Sequence, residues 1–104
     1  RGCSLVDASI LRAHLRGTNL CGCDMRGAQL HLSDMEDADL SDTQLQGADL
    51  SKCCLRGANV TNAIFTGASL SESELEGCDL GVANPDFSRV KLSGTRLSAV
   101  SMQE

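Results

Sequence analysis

The sequence predicts an all-β solenoid, a chain wound into a coil that turns once every five residues, and three observations carry that prediction. Large apolar residues recur every fifth position without a slip from Leu5, Ile10, Leu15 and Leu20 through Leu30, Leu50, Phe65 and Leu70 to Leu75 and Leu80. A small residue stands two positions before each of these centres, beginning with Cys3, Ala8, Ala13 and Thr18 and ending with Ala63, Ala68, Ser73 and Cys78. Nine of the ten glycines, among them Gly17, Gly27, Gly47, Gly57 and Gly67, fall at the phase two residues after a centre. A period of five matches neither the helical nor the strand period. A fixed period is instead the mark of a repeat architecture, and it takes precedence over local propensity.

Each part of the repeat has a structural task. Centre and small residue are two apart, so in an extended stretch both point to the same side. The remaining residues must turn the chain so that the next pair also points inward. A type II turn beginning at the centre puts its positive-φ residue where the glycines stand, and glycine adopts that conformation at least cost. The result is a coil lined by leucine and alanine, with Leu5, Leu30, Leu50, Phe65 and Leu70 among its core. The phase then jumps by two residues across "GVANPD" (81–86) and resumes with Phe87, Leu92, Leu97 and Met102. One domain over 1–104 is therefore expected: regular repeats over 1–80, a two-residue insertion within 81–86, and a less regular final coil over 87–104.

The stretches "ADLSD", "GADLS", "GANVT" and "GCDLG" fit the form A-(D/N)-L-x-x. On these motifs the chain resembles the pentapeptide-repeat proteins over essentially its whole length. The resemblance implies a right-handed quadrilateral β-helix with four repeats per coil and about five coils. Residues twenty apart then stack, and the column Arg16, Glu36, Arg56, Glu76 alternates in sign, as stacked neighbours of opposite charge favour. The turn positions sort by face as well. Two opposite faces carry mostly glycine, whereas Arg12, Leu32, Lys52 and Glu72 form a column without any. That column predicts a turn of another type.

The bulk composition narrows the function classes. Aromatic residues are only 2%, Phe65 and Phe87, so the interior is narrow and built from small and aliphatic side chains. The net charge of −5 argues against nonspecific binding to nucleic-acid phosphates or anionic lipid. No apolar run approaches the roughly 20 residues of a membrane span, and no signal-peptide pattern appears. The chain opens without Met, already in repeat phase, and reads as a segment of something longer.

Four of the six cysteines, Cys3, Cys23, Cys53 and Cys78, occupy the inward small-residue position, where the side chain acts as a small hydrophobe. Cys21 and Cys54 face outward, so neither "CGC" nor Cys53-Cys54 makes a tetrahedral thiolate site. Cys3 and Cys23 stack at a spacing a disulfide tolerates, yet in-register parallel stacking is poor for the bridge dihedral, and the pair is expected to stay reduced. Exposed free thiols point to a reducing compartment and a cytoplasmic location. His14 and His31 read as surface histidines, and "NVT" at Asn59 as a chance sequon. No nucleophile elbow, phosphate-binding loop or metal-spaced carboxylates occur, so no enzyme, cofactor or metal is expected.

What is left is an outer surface. Asp34, Glu36, Asp37, Asp39 and Asp42 gather along one edge of neighbouring faces. Leu11, Leu32 and Ile64 point outward by phase. The sequence therefore predicts a non-enzymatic protein-binding or scaffold module presenting flat faces to a protein partner, within a larger adaptor. "SKCCLRGANVTNAIF" is similar to the repeat tails of BTB/POZ-type ubiquitin-ligase adaptors. The alternative, implied by the resemblance and the acidic edge, is a DNA-mimicking regulator or protector of a type II topoisomerase. Uncapped coils leave strand edges open to end-to-end self-association.

Overall fold

Every pentad bends at the same place. In this computed structural model, which describes residues 3–78 and Gly94, the small inward residue closes a turn by donating its N–H to the carbonyl of the centre three positions earlier. Ala28 donates to Met25 at 3.1 Å, Ala48 to Leu45 at 3.0 Å and Ala58 to Leu55 at 3.0 Å. The third residue of each turn is left-handed, with φ between 56° at Lys52 and 74° at Gly22.

Successive coils are joined by isolated parallel bridges between residues twenty apart rather than by long strands. Four rows of bridges define four faces. They run Ser4–Asp24–Gln44–Ile64, Ser9–Gln29–Asp49–Ser69, His14–Asp34–Cys54–Glu74 and Asn19–Asp39–Asn59. We number these faces one to four, and the coils one (3–22), two (23–42), three (43–62) and four (63–78). Each centre donates its N–H to the coil below, as Leu30 to Asp49 at 2.8 Å. The residue before it donates to the coil above, as Gln29 to Ala8 at 2.8 Å. The backbone N–H groups of the interior coils are thus spent on turns, on stacking and on side-chain caps such as Glu36 N–H to Asp34.

The core follows the repeat. Leu30, Leu50 and Leu70 are 0% exposed and Phe65 is 1% exposed. Leu5 is only partly buried, because the coil below covers it and no described residue packs above. Gly94, with φ 73°, lies against Glu72. It continues the column of Arg12, Leu32, Lys52 and Glu72 at a spacing two residues longer than the others. The rest of the final coil and the end of the regular repeats lie outside the described residues.

Two expectations are corrected. The glycine-free corner does not use a different turn: Arg12, Leu32, Lys52 and Glu72 have φ of 57°, 65°, 56° and 60°. The neighbouring coil imposes this geometry, since Arg12 N–H must reach His31 O at 3.0 Å and Lys52 N–H must reach Ser71 O at 2.9 Å. A non-glycine residue held left-handed costs about 1–2 kcal/mol, and it persists only where its surroundings over-determine it. Here a buried ladder supplies reinforcement. Ser33 Oγ accepts from Ala13 N–H at 3.1 Å and donates to Ile10 O at 3.0 Å, bridging the corner above it. Cys53 Sγ donates to Leu30 O at 2.9 Å, and Ser73 Oγ to Leu50 O, each one coil further down.

The second correction concerns the thiols. Cys3 and Cys23 are joined by a disulfide, with Cα atoms 4.7 Å apart. Both side chains enter the same narrow interior column with nothing between them, and their Cα separation lies within the range a bridge spans. Cys21, Cys53 and Cys54 are free thiols. Burial pushes the Cys53 thiol up to about 12, so it stays protonated and serves only as a hydrogen-bond donor.

Candidate functional site

The acidic edge is assembled by the coil rather than by local sequence. Asp34 lies on face three, Glu36 and Asp37 on the corner after it, Asp39 on face four, and Asp42 on the next corner. The structure brings all five to adjoining positions on coil two but gives them different chemical states. Asp34 accepts the Glu36 N–H at 3.1 Å and lies 3.4 Å from Arg16. The backbone bond first, and the guanidinium second, hold its carboxyl below the usual range. Glu36 sits between two arginines, 3.1 Å from Arg16 and 3.6 Å from Arg56. Asp39 accepts from the Ser41 hydroxyl at 2.6 Å and from its N–H at 3.0 Å, which lowers its pKa without cancelling its charge. Asp37 and Asp42 are exposed and left-handed at their corners. The Asp37 carboxylate leans over Gly57, where a Cβ would meet its oxygen.

Face three and its corner therefore carry a mixed-sign ladder rather than a negative strip. Arg16, Glu36 and Arg56 alternate as their twenty-residue spacing predicts, but Arg56 then turns to Glu74, at 3.9 Å, and not to Glu76. The Arg56 pKa is raised, by a hydrogen bond to Cys54 first and by Glu36 second. A second column pairs Lys52 with Glu72 at 3.7 Å. Exposed pairs of this kind contribute about 0.2–1 kcal/mol each. Their chief effect is to fix register and to cancel charge.

Asp34, Glu36 and Cys54 place a ligand atom apiece within 4.8 Å of one another. Such a trio could hold a divalent ion, but both carboxylates are already engaged by Arg16 and Arg56. The pentad phase alone does not show this grouping; the twenty-residue stacking of Asp34 on Cys54 does. The same stacking sets His31 Nδ1 2.8 Å from Ser51 Oγ, which donates to Asp49 at 2.6 Å. The serine hydroxyl is committed to the carboxylate, so the imidazole donates to the serine. This order is opposite to that of a base activating a nucleophile.

Among the described residues, the exposed large apolar side chains are Val6, Leu11 and Leu32. Ile64, expected among them, is only half exposed, stacked below Gln44 on face one. Val6 was not foreseen; it stands at the first corner of coil one.

A family model described as pentapeptide repeats matches residues 3–42 and 43–81 in eight copies. No curated protein matches the sequence. Among solved structures, the chain is similar to a pentapeptide repeat protein from the cyanobacterium Cyanothece 51142, at 28% identity and TM-score 0.88, covering 92% of this chain and 65% of that one. It is also similar to a pentapeptide repeat protein of the Arabidopsis thaliana thylakoid lumen, at 25% identity and TM-score 0.55, covering 84% of this chain and 59% of that one. The plasmid-mediated fluoroquinolone resistance protein QnrB1 shares the fold at 22% identity and TM-score 0.50, covering 97% of this chain and 58% of its own. The chain thus spans less than two thirds of each of these structures.

Proposed function

The chain belongs to the pentapeptide-repeat family, and from that premise we propose that it is a non-enzymatic protein-binding or scaffold module, working within a larger cytoplasmic adaptor as a right-handed rod of about five coils. The observation that carries this reading is the commitment of backbone and interior to turns and to stacking. Carbonyls and N–H groups of the inner coils bond to neighbouring coils, and the interior side chains are sealed. Rigidly spaced outer side chains are what a partner can meet, and solenoids present extended surfaces of this kind. The partly exposed thiols Cys21 and Cys54 support the cytoplasmic placement, and the Cys3–Cys23 disulfide is the feature that points the other way. Among the described residues no helix is long and apolar enough to cross a membrane. End-to-end association through coil edges is a secondary mode of this proposal.

The acidic edge motivates the second reading, mimicry of duplex DNA toward a type II topoisomerase. Duplex DNA presents unbroken phosphate charge, whereas Arg16 and Arg56 neutralise Asp34 and Glu36 in the middle of this edge. That neutralisation favours the scaffold reading.

The test compares the native chain with a variant carrying Asp34→Asn, Glu36→Gln, Asp37→Asn, Asp39→Asn and Asp42→Asn. Asparagine keeps the turn bonds, as Asn59 already does, accepting from the Thr61 hydroxyl at 2.7 Å and its N–H at 3.0 Å. Circular dichroism is expected to show both chains folded. Neither is expected to alter supercoiling by a purified type II topoisomerase. Inhibition or protection by the native chain alone would replace the scaffold reading with mimicry.

A further inference from the structure

We propose that Cys3 and Cys23 form a reversible redox staple, which fastens coil one to coil two in oxidising surroundings and releases it when small thiols of the glutathione class prevail. The two sulfurs are bonded across adjacent coils. The staple joins coil one, which among the described residues has a neighbouring coil on one side, to coil two. The inward residues Leu5, Ile10 and Leu15 pack on the core but remain partly exposed, while their counterparts in coils two and three are sealed. Coil one is bonded to described residues on one side only, through pairs such as Leu5 N–H to Asp24 O at 2.7 Å and Asp24 N–H to Cys3 O at 3.0 Å. A cross-link there adds constraint to the pairing of coil one with coil two.

The two sulfurs also differ in access. Cys23 is 1% exposed, while Cys3 is only half-buried. A thiolate of the small thiol therefore attacks Cys3 Sγ. The protein S–S bond breaks, a mixed disulfide forms on Cys3, and the electron pair leaves on Cys23 Sγ, which takes up a proton. A second thiolate attacks the small-thiol sulfur of that mixed disulfide, releasing the oxidised small-thiol dimer and a Cys3 thiolate that is then protonated. Two small thiols are oxidised as one protein disulfide is reduced. Cys21, two residues from Cys23 in sequence, is a free thiol at a turn and takes no part.

The experiment equilibrates the chain in glutathione buffers from fully oxidised to predominantly reduced, maps the bridge by peptide mass spectrometry, and measures amide exchange in parallel. We expect a Cys3–Cys23 link in oxidised buffer that disappears in reduced buffer. With it, the Leu5, Asp7, Asp24 and Gln29 amides should exchange about a hundredfold faster, the size expected for opening a cross-link over some twenty residues. The Leu45, Leu50 and Leu55 amides should not change. Cys3→Ala, which places alanine in a small-residue column, should exchange at the reduced rate in both buffers. Absence of the link in oxidised buffer, a link from Cys3 to Cys21 instead, persistence of the link in reduced buffer, or exchange at coil one indifferent to the bridge would each overturn the proposal.

Discussion

Leu32 stands left-handed at φ 65° with 37% of its surface in water, a conformation in which a large side chain gains little and its backbone costs about 1–2 kcal/mol. Leu32→Gly relieves that strain but gives up the covered part of the side chain and loosens the unfolded chain. It should therefore shift stability by less than about 1 kcal/mol, under roughly 4–8 °C in Tm for a domain of this size. The reverse holds where glycine already occupies the corner. Gly47 and Gly57 have φ of 70° and 71°, so alanine at either is strained. They differ in their surroundings: a Cβ at Gly47 meets nothing within 4 Å, while one at Gly57 meets the Asp37 carboxylate. Gly57→Ala should cost more than Gly47→Ala in thermal melts, and the excess should vanish in an Asp37→Ala background. Equal costs would show that Asp37 swings aside freely.

At the scale of a corner, the question is how a column without glycine is held in a geometry glycine prefers. Ser33, Cys53 and Ser73 follow the left-handed Leu32, Lys52 and Glu72, and each donates to the corner one coil above. Thr43 follows Asp42 and braces its own turn, donating to Leu40 O at 2.7 Å. Alanine follows the left-handed glycines Gly27, Gly47, Gly57 and Gly67 but also the left-handed Asp7, Arg12, Asp37 and Asn62, so the brace belongs to particular corners rather than to every corner without glycine. Ser33→Ala removes both the donor to Ile10 O and the acceptor of Ala13 N–H, and should lower stability by about 1–2 kcal/mol in denaturant unfolding. Ser33→Cys should recover part of that loss, because Cys53 makes the equivalent donation in the same column. Identical losses for alanine and cysteine would mean that the hydroxyl acts only by filling space.

For the whole molecule, stability is set coil by coil, since each coil touches only its neighbours. Leu50 is fully sealed between coils, and Leu50→Ala should cost about 2–5 kcal/mol. Leu5 is covered from one side among the described residues, and Leu5→Ala should cost less than half as much. Equal losses in urea unfolding would indicate that coil one is as well covered as coil three. The charge distribution is likewise a property of the stack. Arg16, Glu36 and Arg56 lie far apart in sequence but within ion-pair distance in space, which turns a predominantly acidic composition into a surface of mixed sign.

The sequence by itself determined the repeat, the inward pair and the turn at the glycine corners, because a strict period leaves one way for apolar residues at every fifth position to share an interior, while the twenty-residue coil followed from the family resemblance and the alternating column Arg16, Glu36, Arg56 and Glu76. It also placed Asp34, Glu36, Asp37, Asp39 and Asp42 on one edge. Tertiary structure alone decided that Arg12, Leu32, Lys52 and Glu72 adopt the left-handed turn, since hydrogen bonds from adjacent coils outweigh their local preference. It alone joined Cys3 to Cys23, directed Arg56 to Glu74, and set Cys54 beside two carboxylates. These outcomes depend on side-chain reach between stacked coils, a distance that a one-dimensional period does not contain.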